Sequence, residues 1–260
     1  MKVKNFLVVG VLSLTVLMAT SCVHDVKTLG SFDSGPQLFE KRLISGFEKI
    51  EIAGSPTVYY SQADSFSVIV KGAEKQLEEI ITTKNGNTLE IRNRGKVGIF
   101  NVSVRNSEDM AVYVTSPDLV GVNLSGSGDF ISEKRIDSDK FDVTLRGSGD
   151  IRIQDLICDN CNAEVIGSGD MVIKRLESKD VSALLVGSGD LSLDVFQVDN
   201  TSLVVRGSGD MNVSFREGCR AADCSLTGSG DINLKGKVKH FTSKKHGSGD
   251  IDTAKLSIEK

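Results

Sequence analysis

The chain has 260 residues, a formal net charge of −4, no Trp and 5% aromatic residues. That length suffices for one core or one elongated domain. A mildly acidic chain without a basic run is a poor match for a phosphate backbone, so nucleic acid is not expected as a partner.

Lys2 and Lys4 give the N-terminus a basic start. Phe6 to Met18 is an apolar run broken only by Gly10, Ser13 and Thr15, and the small residues Ala19, Thr20 and Ser21 lead into Cys22. Residues 1–21 read as a secretory signal, too short for a membrane span. A cysteine directly after the small-residue site resembles a bacterial lipobox, with Cys22 as the acylated first residue of the mature protein. Ala19 stands where Leu is commoner. Val23, where Asp would retain an enteric lipoprotein in the inner membrane, implies by that resemblance an outer-membrane destination, on its periplasmic or surface face. Cleavage before Cys22 leaves 239 residues and a formal charge of −6. Residues 22–43 mix Gly, Ser, Asp, Pro and Gln and are expected to be a flexible tether, leaving 44–260 as the folded domain.

Residues 44–117 read as strands without an obvious repeat. Phe47, Ile50 and Ile52 come first, then Val58-Tyr59-Tyr60, and then Phe66, Val68 and Val70 at period two. Asn85-Gly86, between Ile80-Ile81-Thr82 and Leu89-Glu90-Ile91, predicts a hairpin. Val102, Val104, Val112 and Val114 continue the alternation to a turn at Ser116-Pro117-Asp118. A helix of one or two turns fits only at Ala73 to Ile80. Gly54-Ser55-Pro56 reads as a decayed copy of the phrase that governs the rest.

That phrase is Gly-Ser-Gly-Asp, written seven times in residues 118–260. Its corners are Gly126, Gly128 and Asp129; Gly147, Gly149 and Asp150; Gly167, Gly169 and Asp170; Gly187, Gly189 and Asp190; Gly207, Gly209 and Asp210; Gly228, Gly230 and Asp231; Gly247, Gly249 and Asp250. The aspartates are 21, 20, 20, 20, 21 and 19 residues apart. Positions two, four and six before each first glycine are mostly apolar, as in Phe141, Val143 and Leu145. Positions one and three after each aspartate are apolar too, as in Ile151 and Ile153. A third apolar point follows at Ile136, Leu156, Leu176, Phe196, Val238 and Leu256. Twenty residues is too short for a four-stranded propeller blade and lacks the leucine-rich signature. The period suits one turn of a single-stranded parallel β-helix, an all-β solenoid whose coils stack about 4.8 Å apart. Ser243, Lys245 and Thr253 break the apolar pattern in the final unit, as a solenoid end requires.

The opening Ile-Ser-Gly-Phe-Glu-Lys-Ile-Glu-Ile (44–52), the strands from Val58 to Val70, the Asn85-Gly86 hairpin and the Gly-Ser-Gly-Asp coils together resemble the bacterial autotransporter-adhesin, head GIN domain family over about Ile44 to Asp250. Its members are commonly Bacteroidetes envelope proteins. The resemblance implies a right-handed β-helix, related in shape to pectin lyases, with no established catalytic residues.

Seven aspartates in one corner ladder need their charge offset. Backbone N–H donation at the corner does this structurally, while calcium is the sharper alternative because carboxylate and carbonyl oxygens suit a hard cation. The twenty-residue period does not match nine-residue calcium β-rolls, so no metal is assigned. The glycines permit positive φ and close coil packing. No helix follows them to receive a phosphate, and no cofactor is expected. Cys158-x-x-Cys161 and Cys219-x4-Cys224 lie three coils apart, too far for one zinc site. Buried thiols are expected, with a local disulfide left open. His24, His240 and His246 suggest no Ser-His-Asp set. The sequence therefore reads as a non-enzymatic envelope binding or adhesion protein, with a glycan or protein ligand at the cell surface and a lipid holding it to the membrane. A carbohydrate-active enzyme and a passive envelope scaffold are the alternatives.

Overall fold

The structure is a computed structural model that describes residues 36–95 and 110–259. The signal, Cys22, His24, Val102 and Val104 lie outside the described residues. Ser34–Lys260 forms one compact unit. Its first elements are β1 (Leu38–Arg42), β2 (Lys49–Gly54), β3 (Thr57–Gln62), β4 (Ser67–Gly72), α1 (Glu74–Glu79), β5 (Ile80–Asn85), β6 (Thr88–Asn93) and β7 (Ala111–Ser116). The coils follow as β8 (Gly121–Gly126), β9 (Asp129–Asp137), β10 (Lys140–Gly147), β11 (Asp150–Gly167), β12 (Met171–Gly187), β13 (Leu191–Phe196), β14 (Val198–Gly207), β15 (Met211–Gly228), β16 (Ile232–Gly247) and β17 (Ile251–Ile258).

The alternating apolar residues around each phrase make the predicted parallel β-helix. Each coil pairs in parallel with the next, placing like on like: Leu124, Leu145, Val165, Leu185, Val205 and Leu226 form one inward ladder. Phe130, Ile151, Met171, Leu191, Met211 and Ile232 form another across the corner. All twelve are buried, and at about 25 cal/mol per Å² of apolar surface these ladders supply the main stabilisation. The third side departs from the expected pattern at Val238, which pairs with Cys219 and Ile258 while Leu256 pairs with Gly236, and at Phe196. Leu176 pairs with Val195, because one residue fewer separates the sides of this coil than of its neighbour. Phe196 is thereby turned outward, where the Arg175 guanidinium lies 4.5 Å from its ring centroid.

The N-terminal half is built out of order. β2 pairs in parallel with both β6 and β8, and β3 with both β7 and β9. The chain therefore lays down β2 and β3, inserts β6 and β7 on one side of them, and resumes with β8 on the other. Antiparallel β5 on β6, and β4 on β7, close that end. Strand β1, at the end of the stretch expected as tether, forms by antiparallel pairing with β4 rather than by burying side chains of its own. The predicted hairpin is present, but Asn85 pairs with Thr88, so the two turn residues are Gly86 and Asn87. Gly86 alone has positive φ (60°), which fits a turn with Gly at its first central position. The predicted short helix is α1, whose first turn is tied by Gln76 Oε1 accepting the Ala73 N–H at 2.8 Å.

At the opposite end the inward ladders run out into polar residues. Cys224 pairs with Ser243 and Leu226 with Lys245. Both replacements are exposed, and Lys245 reaches Asp250 at 2.7 Å.

Candidate functional site

The Gly-Ser-Gly-Asp corner is an architectural device. Gly167 illustrates its first glycine, with φ +134° and a backbone so close to the previous coil that a Cβ would overlap the Gly147 carbonyl oxygen. Gly169 illustrates the second, where a Cβ would overlap the Gly149 carbonyl oxygen. The decayed phrase belongs to the same column: Gly54 has φ 100°, pairs with Gly126 and accepts the Ser127 N–H at 2.8 Å.

The aspartates form a hydrogen-bonded ladder between coils. Asp129 Oδ1 accepts the Asp150 N–H at 3.2 Å, Asp150 that of Asp170 at 3.3 Å, and Asp170 that of Asp190 at 2.9 Å. The series continues through Asp210 at 3.0 Å, Asp231 at 2.8 Å and Asp250 at 2.7 Å. The donor comes from the next coil, not from the same turn as in an Asx turn. Among the described residues no group of three or more His, Cys, Asp or Glu side chains is placed to hold a metal.

All four described cysteines are free and buried. Cys161 donates to Cys158, which draws the Cys158 thiol down; that bond and burial push Cys161 well up. Burial raises Cys219 and pushes Cys224 up to about 12. Cys219 Sγ donates to the Ala221 carbonyl at 3.1 Å, as Ser138 and Ser178 donate to carbonyls two residues on in other coils. Cys158 and Cys219 therefore fill corner positions that Ser138 and Ser178 fill in other coils, while Cys161 and Cys224 stand in the inward ladders beside Phe141 and Leu203. His240 and His246 are exposed on β16.

Tyr60 is buried, bonded to Ser116 Oγ at 3.0 Å, and pushed up to about 12 by that burial. Tyr59 and Tyr113 meet on the exterior instead, their ring centroids 5.3 Å apart and nearly parallel. Because the two rings stack on one another, they leave less aromatic face for a sugar than two separate rings would.

A surface groove lies where the third side of the coil meets the strand before the corner. A groove of about 370 Å³ crosses β10, β11, β12, β14 and β15. One wall carries Asn160, Asp180 and Asn200 in register, and the other Asn162, Ser182, Ser202 and Asp223. Asn200 Nδ2 donates to Asp180 Oδ1 at 2.7 Å, and Arg220 to Asn200 Oδ1 at 2.7 Å. Among the described residues, Asn160, Asn162, Ser182 and Ser202 spend no side-chain hydrogen bond on the protein. The period itself was the available signal, since these polar residues sit seven and five positions before successive first glycines.

A family profile described as "Putative auto-transporter adhesin, head GIN domain" matches residues 46–222. The chain belongs to this family. Its fold recurs in a solved structure named as a putative adhesin from Bacteroides fragilis, with TM-score 0.71, 24% identity, and coverage of 84% of this chain and 97% of that one. A structure named as a putative lipid binding protein from Parabacteroides distasonis gives TM-score 0.67 at 22% identity, over 84% and 98% of the two chains. A putative adhesin from Parabacteroides merdae gives 0.62 at 18%, over 84% and 97%. These likenesses show the shared GIN-type solenoid. None of the curated proteins compared with the chain matches it.

Proposed function

We propose that this GIN-domain protein is a non-enzymatic adhesion protein of the cell envelope, held to the outer membrane by a lipid on Cys22, and that its lateral groove binds an extended polar ligand. The observation that carries the reading is the set of uncommitted amide and hydroxyl groups on Asn160, Asn162, Ser182 and Ser202, repeated at the coil spacing along one groove. Amides donate and accept, and hydroxyls do both, so the wall matches a ligand rich in the same groups. A glycan laid along the axis meets an equivalent contact at every coil, about every 4.8 Å.

The test is binding of the purified chain to arrayed neutral polysaccharides and matrix proteins. The expected outcome is a polysaccharide signal that falls at least about tenfold in a triple Asn160→Ala, Asn162→Ala, Ser202→Ala variant whose melting temperature is unchanged, because exposed substitutions rarely exceed about 0.5 kcal/mol. No bound glycan or matrix protein, or binding indifferent to the triple variant, defeats the proposal. Turnover of a polysaccharide abolished by a single Asp substitution would favour the enzyme instead.

A further inference from the structure

Of five large apolar residues exposed among the described residues, three fall within six positions of one another: Leu38 at 41%, Phe39 at 67% and Leu43 at 94%. They sit on and just after β1, which among the described residues pairs only with β4 and so leaves its other edge open. Successive side chains of a strand point to opposite sides, so Leu38 and Phe39 flank the strand rather than share one face. Lys41, between Phe39 and Leu43, has no carboxylate within ion-pair distance among the described residues, whereas Arg42 is held by Glu40 at 3.0 Å. A clustered apolar exposure of this kind, with a free cation beside it, marks an interaction surface.

We infer that β1 and Leu43 form a membrane-docking edge that inserts Leu38, Phe39 and Leu43 into the interface of an anionic bilayer. The inference rests on the lipid-anchor reading of Cys22. Leu38 is sixteen residues beyond Cys22, so an acyl anchor there keeps this edge within at most ~55 Å of the bilayer however the chain runs. Tethering at that range raises the local concentration of the bilayer around the edge. The unpaired N–H and C=O groups of β1 forbid entry into the hydrocarbon but are satisfied at the hydrated headgroup level. There the apolar side chains reach the acyl boundary and Lys41 meets lipid phosphate.

The experiment uses the full chain from residue 22 with Cys22→Ser, which removes any lipid, and vesicles of phosphatidylcholine with or without phosphatidylglycerol. The chain is expected to co-sediment with the anionic vesicles. Phe39→Glu with Leu43→Glu should lower partitioning at least about tenfold, the equivalent of about 1.4 kcal/mol of lost apolar insertion. Both residues are exposed, so the melting temperature should hold. No co-sedimentation of the parent, or equal co-sedimentation of the variant, overturns the inference. So does a dimer abolished by the same variant, which would give the edge to a second copy, or vesicle binding that needs deletion of residues 22–35, which would give it to that segment. Intact mass of the membrane-extracted protein tests acylation of Cys22 separately, so failure of the anchor and failure of the docking edge are distinguishable.

Discussion

Replacing Gly169 by Ala isolates what the second glycine of the phrase does. No positive φ is involved at this position, so any cost comes from contact alone. The new Cβ would overlap the Gly149 carbonyl oxygen and lie 3.1 Å from both the carbonyl carbon and the amide nitrogen of Gly149. Restoring ordinary van der Waals separation needs the coils to part locally by more than ~1 Å. That movement stretches two bonds across the corner, Ser168 N–H to Gly147 O at 2.8 Å and Gly169 N–H to the same oxygen at 3.1 Å. Two lost backbone bonds cost about 2 kcal/mol, and overpacking of the stacked corner adds about 1–3 kcal/mol. The expected destabilisation is therefore about 3–5 kcal/mol, a large part of the 5–15 kcal/mol typical of a folded domain. For a domain of this size it should lower the melting temperature by roughly 10 °C. Far-UV circular dichroism against temperature, supported by urea midpoints, measures it. Ser168→Ala, at an exposed neighbouring position, is the control and should stay within about 0.5 kcal/mol. A Gly169→Ala variant within about 1 kcal/mol of the parent would refute the close-approach argument.

Asp170→Asn keeps an oxygen to accept the Asp190 N–H and should leave stability within about 0.5 kcal/mol, whereas Asp170→Ala should cost about 1 kcal/mol; equal losses, together with stabilisation by added calcium, would return the ladder to cation binding. Cys224 ionises near 9.0 when unfolded but only at about 12 when folded, so its contribution is intact below pH 9 and lost as pH rises toward 12. Tyr60, also held at about 12, adds to that loss from about pH 10. Cys161 and Cys219, also pushed up, add to the loss. The unfolding free energy from urea titration should fall between pH 8 and 11, and Cys224→Ala should remove about 1.4 kcal/mol of that loss at pH 10; a flat profile in the parent would contradict the burial argument. Ser243→Val with Lys245→Leu continues two apolar ladders to the open edge and should cause concentration-dependent association in size-exclusion chromatography; a variant that elutes like the parent at every concentration would show that these side chains do not guard the edge.

The coil stack was legible because glycines that tolerate no side chain recur at a fixed interval, and the apolar positions keep register with them. Phe196 and Val195 show the limit of that reading, because a one-residue shortening between two sides is invisible when either neighbour could be the inward one. The insertion of β6 beside β2 leaves no repeated phrase, since antiparallel strands complete its far side. Only Gly54-Ser55-Pro56 betrayed the shared corner. Tyr59 and Tyr113 lie 54 positions apart, and nothing local announces their contact. The groove could have been found by applying the period to polar residues as well as to apolar ones.

The out-of-order N-terminal half has a consequence for how the chain acquires its fold. Neighbouring coils pair residues only about 20 positions apart, so each can close soon after its sequence emerges. Strands β2 and β3 emerge earlier, but their partners begin at Thr88, Ala111, Gly121 and Asp129. These two strands must therefore wait while more than half as much chain again as they have behind them is delivered. Nucleation then belongs to the glycine-cornered coils, with the irregular half threading onto a stack already begun. During synthesis the N-terminal strands would be the last to become protected from a chaperone or a protease, although they are the first to arrive.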